Sequence, residues 1–290
     1  MLFRTFQLIP GVGPWREKDL WARGVMTWDD IPPEGAAPVV AEELDAQLRA
    51  TIAEARTALA GGDLRTLVSL LPNREHWRLY PHFAGRAVYF DIEADGDRVP
   101  TVVTLFDSQG IRTFIRGRNL EELPTALGES EVWVTFNGGS FDIPVLKAYF
   151  GGLPDPVLHL DLKVLVRKLR LGGGLKPVED AIGIGRPPHL RGVGGLQAVE
   201  LWRVYEDTAD LDALRLLVEY NAYDAINLRS VAEIGFNRLV DQLAFEDSMP
   251  VFERGEVLYD LTKLLLALGH TDRDLLLLAR LAPQDRQLEG

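Results

Sequence analysis

The sequence predicts an α/β fold in which a mixed sheet, an antiparallel meander joined to parallel strands, is flanked by helices. Three strand-like runs follow one another closely between residues 86 and 117. Two further strand-like runs, at 131–136 and 156–161, are each followed at once by a helical pattern. Strands joined by tight turns pair antiparallel, whereas strands joined through a helix pair parallel. We therefore expect both kinds of pairing in one sheet.

The elements of this region follow from its periodicity and its turn residues. The strands of the meander are expected at 86–93, 99–107 and 111–117, and the turn "SQG" makes a hairpin of the last two. Ser140 is placed as N-cap of the helix after "NGG", and Asp161 as N-cap of the next helix. Helices are expected at 120–128, 140–150, 162–171, around 176–182 and 194–205, and at 211–239.

The chain outside this region is predicted to be helical. A helix closed by Gly24 is expected at 16–24, then a short turn with Thr27 as N-cap, and an amphipathic helix at 37–62. Two Leu-rich helices are expected at 256–269 and 272–282. The predicted divisions are a helical module, a lead-in segment, an α/β domain and C-terminal helices, at residues 1–62, 63–83, 84–240 and 241–290.

Composition limits the chemistry that is open to the chain. There is no cysteine, and the five His residues lack the spacing of a zinc site, so a metal would be held by oxygen and would be Mg²⁺ or Mn²⁺. The net charge of −12 argues against a passive nucleic-acid coat protein. No apolar run reaches the roughly 18 residues of a membrane span, and we expect a cytoplasmic protein without membrane contact.

Acidic residues stand at the end of the first predicted strand. Asp91 and Glu93 are two residues apart, so their side chains lie on one face of the sheet while Ile92 faces the core. Two carboxylates on one face repel each other unless a cation lies between them. A solvated acidic turn that includes Asp95 is the alternative.

Two further acidic positions occur at structurally defined places. Asp142 falls at a predicted helix N-terminus, where the helix dipole alone accounts for a carboxylate. Tyr220 and Asp224 are four residues apart and share one helix face, and a surface Tyr–Asp pair would also explain them.

The order of the motifs along the chain resembles that of a known protein family. The chain reads "DIE" at 91–93, "FNGGSFDIPVL" at 136–146, "HLDL" at 159–162, "LK" at 175–176 and "YNAYD" at 220–224. This order resembles the ribonuclease-H-fold 3′–5′ exonucleases of the DEDDy type, and more closely the YprB family of predicted exonucleases. The resemblance covers about residues 70–235. "EADG" departs from the "ETTG" of many relatives, but it leaves both carboxylates in place.

The resemblance implies a ribonuclease-H-like fold and a two-metal hydrolysis of phosphodiester bonds. Asp91, Glu93, Asp142 and Asp224 would hold two divalent cations, Mg²⁺ or Mn²⁺, and Tyr220 would orient the attacking water. The implied substrate is the 3′ end of single-stranded DNA or RNA, with DNA favoured and DNA repair as the setting, and without an organic cofactor. The alternatives are a catalytically silent nucleic-acid-binding or scaffold protein and a structure-specific endonuclease.

The sequence signals for residues that would bind the nucleic acid are less specific. Basic residues predominate between 163 and 191, as a phosphate-binding face or a solvated helix face. Phe141 could stack a base or belong to the core. The turn "IPGVG" resembles half of a helix-hairpin-helix, whose glycine amides contact phosphate; a small capping module that binds nothing is the alternative. The candidate nucleic-acid contacts are Gly11, Gly13, Asn137, Phe141, Arg167, Arg170 and Lys176.

Overall fold

The computed structural model describes residues 1–268, and within them the chain forms two compact units. The first unit contains residues 1–84 and 240–248, and the second contains residues 85–239 and 249–268. No helix within residues 1–268 is both long enough and apolar enough to cross a membrane.

The first unit is helical and is organised around a buried charge network. Glu17 accepts hydrogen bonds from the Thr5 hydroxyl, the Phe6 amide and the Gln7 side chain, each at 2.8 Å. The buried Arg78 also donates to Glu17 at 2.8 Å. A buried carboxylate is tolerated because it is paired in this way. The α-helices of this unit are α1 (Pro14–Ala22), α2 (Glu42–Gly61), α3 (Leu64–Leu70) and α4 (Tyr80–Phe83).

The second unit contains the predicted mixed sheet. Its strands are β1 (Ala87–Ala94), β2 (Pro100–Asp107), β3 (Gly110–Ile115), β4 (Val132–Thr135) and β5 (Leu158–Asp161). Their order is β3-β2-β1-β4-β5. The first three strands pair antiparallel, and β1, β4 and β5 pair parallel. The predicted fold class, a ribonuclease-H-like mixed sheet flanked by helices, is therefore confirmed.

One face of the sheet is covered by an apolar layer. Phe90 and Ile92 of β1 belong to a buried cluster with Trp133 of β4 and Leu146. Residues that alternate with them along β1 must face the opposite side. The helices of this unit are α5 (Leu123–Gly128), α6 (Asp142–Phe150), α7 (Leu162–Lys168), α8 (Leu175–Ile182), α9 (Gly195–Thr208), α10 (Leu211–Gln242) and α11 (Gly255–Leu268).

Several predicted boundaries are corrected. Ser140 is not the N-cap of α6, because the turn after β4 continues to Phe141, which occupies the cap position without a side-chain hydrogen bond. Helix α2 begins at Glu42 and not at residue 37. The helix predicted at 272–282 lies outside the described residues.

Other local predictions are confirmed. Thr27 caps a short 3₁₀ helix, where its hydroxyl accepts from the Asp29 amide. Asp161 caps α7, where its carboxylate accepts from the Lys163 amide at 3.0 Å. The two-residue turn between β2 and β3 closes a hairpin, as "SQG" predicts.

Candidate active site

Strand β1 presents Asp91 and Glu93 on the sheet face opposite the apolar cluster. The parallel pairing between β1 and β4 ends at Tyr89 and Val134, so Asp91 and Glu93 lie beyond the last residue paired with β4, while they are still paired with β2. The Asn221 side-chain amide of α10 donates to Asp91 at 3.0 Å. This contact ties the strand end to the middle of the long helix.

Helix α10 supplies Tyr220 and Asp224, which lie one turn apart. One carboxylate oxygen from each of Asp91, Glu93 and Asp224 lies within 4.8 Å of the others. The Tyr220 hydroxyl hydrogen-bonds to the Asp224 carboxylate. Residues about 130 positions apart in the chain thus form one acidic cluster. We call Asp91, Glu93 and Asp224 together the carboxylate cluster.

Asp142 is the first residue of α6 and is 4% exposed. Its carboxylate accepts a hydrogen bond from the backbone amide of Ile92, and it lies close enough to repel the charges of Asp91 and Glu93. Asp142 is not one of the three residues whose oxygen atoms lie within 4.8 Å of one another. The structure therefore places the fourth predicted carboxylate beside the carboxylate cluster.

Burial and mutual repulsion make these carboxyl groups hard to ionise. Burial, followed by the charges of Asp224 and Asp142, raises the pKa of Asp91 and of Glu93 well above their usual range. Burial raises the pKa of Asp142 to about 7, although the Ile92 amide acts against this rise. Burial also raises the pKa of Asp224, against the opposing effect of Arg186. The carboxylate cluster therefore favours cations.

Two cations stand beside the carboxylate cluster, and sequence reasoning did not assign either to it. The Lys176 ammonium donates to the Tyr220 hydroxyl at 3.0 Å and lies 4.3 Å from the centre of its ring. It also donates to the Val193 carbonyl. The Arg186 guanidinium forms an ion pair with Asp224. Lys176 was predicted as a phosphate contact and Arg186 only as part of a basic stretch.

Glu179 is a buried acidic residue that sequence reasoning missed. Its carboxylate accepts two hydrogen bonds from Arg186, at 2.5 and 2.6 Å, and a third from the Asn227 side chain at 3.0 Å. A carboxylate within a basic stretch was the available signal, since an acid there needs a local partner. The second missed residue, Asn221, stands inside the motif "YNAYD".

Asn137 lies in a loop whose shape is set by Asp161. The Asp161 carboxylate accepts from the Asn137 amide at 2.8 Å and from the Gly139 amide at 3.4 Å. Asn137 has a left-handed backbone, with φ of 67°, and its side-chain oxygen accepts from Lys163 at 3.0 Å. A Cβ atom at Gly138 would overlap the Thr135 side chain, so this turn requires glycine.

The other predicted nucleic-acid contacts are distributed over both units of the chain. Arg167 and Arg170 are exposed. Phe141 is half-buried against the apolar cluster, as the core alternative expects. Gly11, with φ of 90°, and Gly13 line a cavity of about 600 Å³ in the first unit, together with Arg74.

The carboxylate cluster fits divalent metal ions by its chemistry. Three carboxylate oxygens converge, and hard oxygen donors suit Mg²⁺ and Mn²⁺. The side-chain oxygen of Asn221 is also buried, and it has no hydrogen-bond partner within residues 1–268. A possible acidic metal-binding site is therefore present, and Asp91, Glu93 and Asp224 are the residues that could form it.

Comparison with known proteins gives one family. A model of the RNase H superfamily matches residues 88–234, which is half of the chain and includes every residue of the carboxylate cluster. The comparisons with curated proteins and with solved structures give no significant match. The mixed sheet, its order and the carboxylates at the end of its central strand agree with the match. The chain belongs to the RNase H superfamily.

Proposed function

We propose that this protein is a metal-dependent 3′–5′ exonuclease of the DEDDy type, similar to the YprB family, acting on single-stranded nucleic acid with DNA favoured over RNA. The observation that carries the proposal is the convergence of Asp91, Glu93 and Asp224 within 4.8 Å, with the Tyr220 hydroxyl bonded to Asp224. Membership of a nuclease superfamily supports phosphodiester hydrolysis. The 3′–5′ direction of digestion is proposed from the order of the motifs alone. DNA repair is the proposed biological process.

Two divalent ions, Mg²⁺ or Mn²⁺, would be held by Asp91, Glu93, Asp142 and Asp224. When bound, they would activate water for attack and neutralise the charge that develops on the phosphate. Asp142 is already fixed for this purpose by the Ile92 amide, and Asp91 by the Asn221 side chain. Because these carboxylates are held by the sheet and by two helices, the site needs little rearrangement to receive the ions.

Tyr220 would position the attacking water. Its hydroxyl donates to Asp224 and accepts from Lys176, so one lone pair is left for a hydrogen bond from water. Burial raises the pKa of Tyr220 above its usual range, so its hydroxyl stays protonated at neutral pH. Tyr220 therefore acts by orientation and not as a base.

Substrate binding is proposed for residues of each of the two units. Lys176, Arg167 and Arg170 would meet the phosphates. Asn137 and Phe141 would meet the terminal nucleotide, and the turn that contains Gly11 and Gly13 would contact the backbone. In this proposal residues 84–240 form the exonuclease domain, residues 1–62 a helical module, residues 63–83 a lead-in segment and residues 241–290 a C-terminal segment.

The proposal is tested with end-labelled oligonucleotides. Single- and double-stranded DNA and RNA, labelled at either end, are incubated with the protein and Mg²⁺ or Mn²⁺. We expect stepwise loss from the 3′ end of single-stranded DNA, and no loss in EDTA. Asp91→Asn should abolish cleavage, whereas Asp97→Asn, at an exposed position in the turn after β1, should not. Equal cleavage by the Asp91 variant and the parent would refute the assignment.

A second candidate is a catalytically silent scaffold of the same fold. The observation in its favour is the ion pair between Arg186 and Asp224. In this ion pair the guanidinium group neutralises a carboxylate that would otherwise be free to bind a metal ion. This candidate predicts no thermal stabilisation by Mn²⁺, because only a ligand that binds the folded state raises apparent stability. Internal cleavage products in the oligonucleotide assay would instead indicate a structure-specific endonuclease.

A further inference from the structure

We propose that Arg186 is an internal counter-cation of the carboxylate cluster, which holds Asp224 in the metal-free protein and competes with divalent metal for it. The proposal rests on the proposed function in one respect, namely that the carboxylate cluster binds metal. It assigns a role to Arg186 and Glu179, which lie outside the four carboxylates and the tyrosine.

The position of Arg186 is set by its surroundings. Its side chain is 6% exposed, and Glu179 binds it through both carboxylate oxygens. Arg186 follows α8 on a short loop that begins with Gly183 in a left-handed conformation, and Pro187 comes directly after it. The guanidinium group is therefore held beside Asp224 by a buried partner, Glu179.

The charges explain why a cation is needed. Three carboxylates with oxygen atoms within 4.8 Å of one another repel strongly at low dielectric. Lys176 is also near, but the hydrogen bonds of its ammonium group go to the Tyr220 hydroxyl and the Val193 carbonyl. Arg186 is in direct ionic contact with one of the three carboxylates. It therefore offsets part of the repulsion when no metal is bound.

The same contact opposes metal binding. An oxygen of Asp224 that contacts the guanidinium group is less available to a metal ion, and the guanidinium charge repels a dication. Glu179 reduces this repulsion, because its negative charge is paired with Arg186 at the other side. Loss of Arg186 should therefore strengthen metal binding, and loss of the Glu179 charge should weaken it.

The test uses the full-length protein at pH 8, with Mn²⁺ as the probe. Melting temperature is measured in EDTA and across a Mn²⁺ titration, and affinity is measured by calorimetry. In EDTA, Arg186→Gln should melt on the order of 10 °C lower than the parent, because a buried ion pair is broken. Its Mn²⁺ dissociation constant should fall by about tenfold or more. Glu179→Gln should raise that constant.

Two further variants separate charge from structure. Arg186→Lys keeps the cation, so its Mn²⁺ affinity should stay within about threefold of the parent. Arg78→Gln removes an arginine of the first unit that is 3% exposed and ion-paired with Glu17 and Glu75. It should lower the melting temperature and leave Mn²⁺ affinity unchanged. If Arg186→Gln does not fold, the double variant Arg186→Gln/Glu179→Gln removes both charges of the buried pair and leaves no unpaired carboxylate at position 179. It should bind Mn²⁺ more tightly than Glu179→Gln alone, and equal or weaker binding would overturn the inference.

The outcomes distinguish this inference from the proposed function. A merely structural role predicts that Arg186→Gln and Glu179→Gln both weaken Mn²⁺ binding, and that result would overturn the inference while leaving the proposed function intact. A parent protein that does not bind Mn²⁺ would overturn the proposed function. Arg186→Gln that melts in EDTA at the parent temperature would overturn the role of counter-cation in either case.

Discussion

Asp142→Asn tests the electrostatics of the site without depending on catalysis. The pKa of Asp142 is raised by burial from 3.8 to about 7, so the folded protein holds a proton there more tightly than the unfolded chain does. The protonated Asp142 side chain therefore contributes to the free energy of unfolding. This contribution is fully present below pH 3.8 and is lost as the pH rises through about 7. The metal-free protein should therefore be more stable at pH 4 than at pH 8.

The size of the effect follows from the two pKa values. A change from 3.8 to about 7 corresponds to roughly 4 kcal/mol between the two ends of this pH range. This is an upper limit for one residue, because Asp91, Glu93 and Asp224 compete for the same protons. Asparagine has nearly the shape of the protonated carboxyl group and cannot ionise, so the variant should not lose this stability.

The assay is unfolding by denaturant or heat at pH 4 to 8, in EDTA and in saturating Mn²⁺. In EDTA, Asp142→Asn should match the parent at pH 4 and exceed it by up to about 4 kcal/mol at pH 8, which is on the order of 10 °C. In Mn²⁺ the order should reverse at pH 8, because ionised carboxylates bind the metal. A parent-minus-variant difference that is constant with pH would show that the pKa of Asp142 is not raised by burial.

Three other substitutions test neighbouring parts of the site. Tyr220→Phe should lower kcat by about a hundredfold and leave Mn²⁺ affinity unchanged, measured against Tyr223→Phe on the same helix, which should retain the parent kcat. Gly138→Ala should destabilise the protein by about 1–3 kcal/mol in urea unfolding, because the added Cβ overlaps Thr135, and an unchanged midpoint would contradict the close approach. Asp161→Ala should cost about 1–3 kcal/mol and raise KM for oligonucleotide, since two loop amides lose their acceptor; parent-like stability would show that the loop is held by other contacts.

The sheet could be predicted from the sequence because its signals are local. The strand alternation places Phe90 and Ile92 in the apolar cluster and Asp91 on the opposite face, as period two requires. The hairpin and the two parallel strands follow from the turn and from the helices that join them. The meeting of Asp91 with Asp224 is not local, and it was predicted only because the order of the motifs resembles a known family.

The misplaced N-cap shows where local reasoning failed. Ser140 has the right side chain for an N-cap. However, the turn that contains Gly138, which lies against Thr135, extends to Phe141, and α6 begins only after it. Glu179 and Arg186 show a second limit. Each is ordinary on a solvated helix face, and only the folded loop after α8 reveals that both are buried and paired.

Hydrogen-bond donors of the protein and divalent metal ions together explain how several acidic side chains remain close to one another. Buried carboxylates without partners would cost several kcal/mol each, and here three of the four have a donor, each from a different element. Asp91 has Asn221 of α10, Asp142 has the amide of Ile92 on β1, and Asp224 has Arg186 from the loop after α8. The carboxylate cluster is thus stabilised for folding by protein groups that only partly offset its charge. The charge that is not offset is what a pair of divalent ions can neutralise, so the metal is expected to bind a site that is already assembled and to raise its stability.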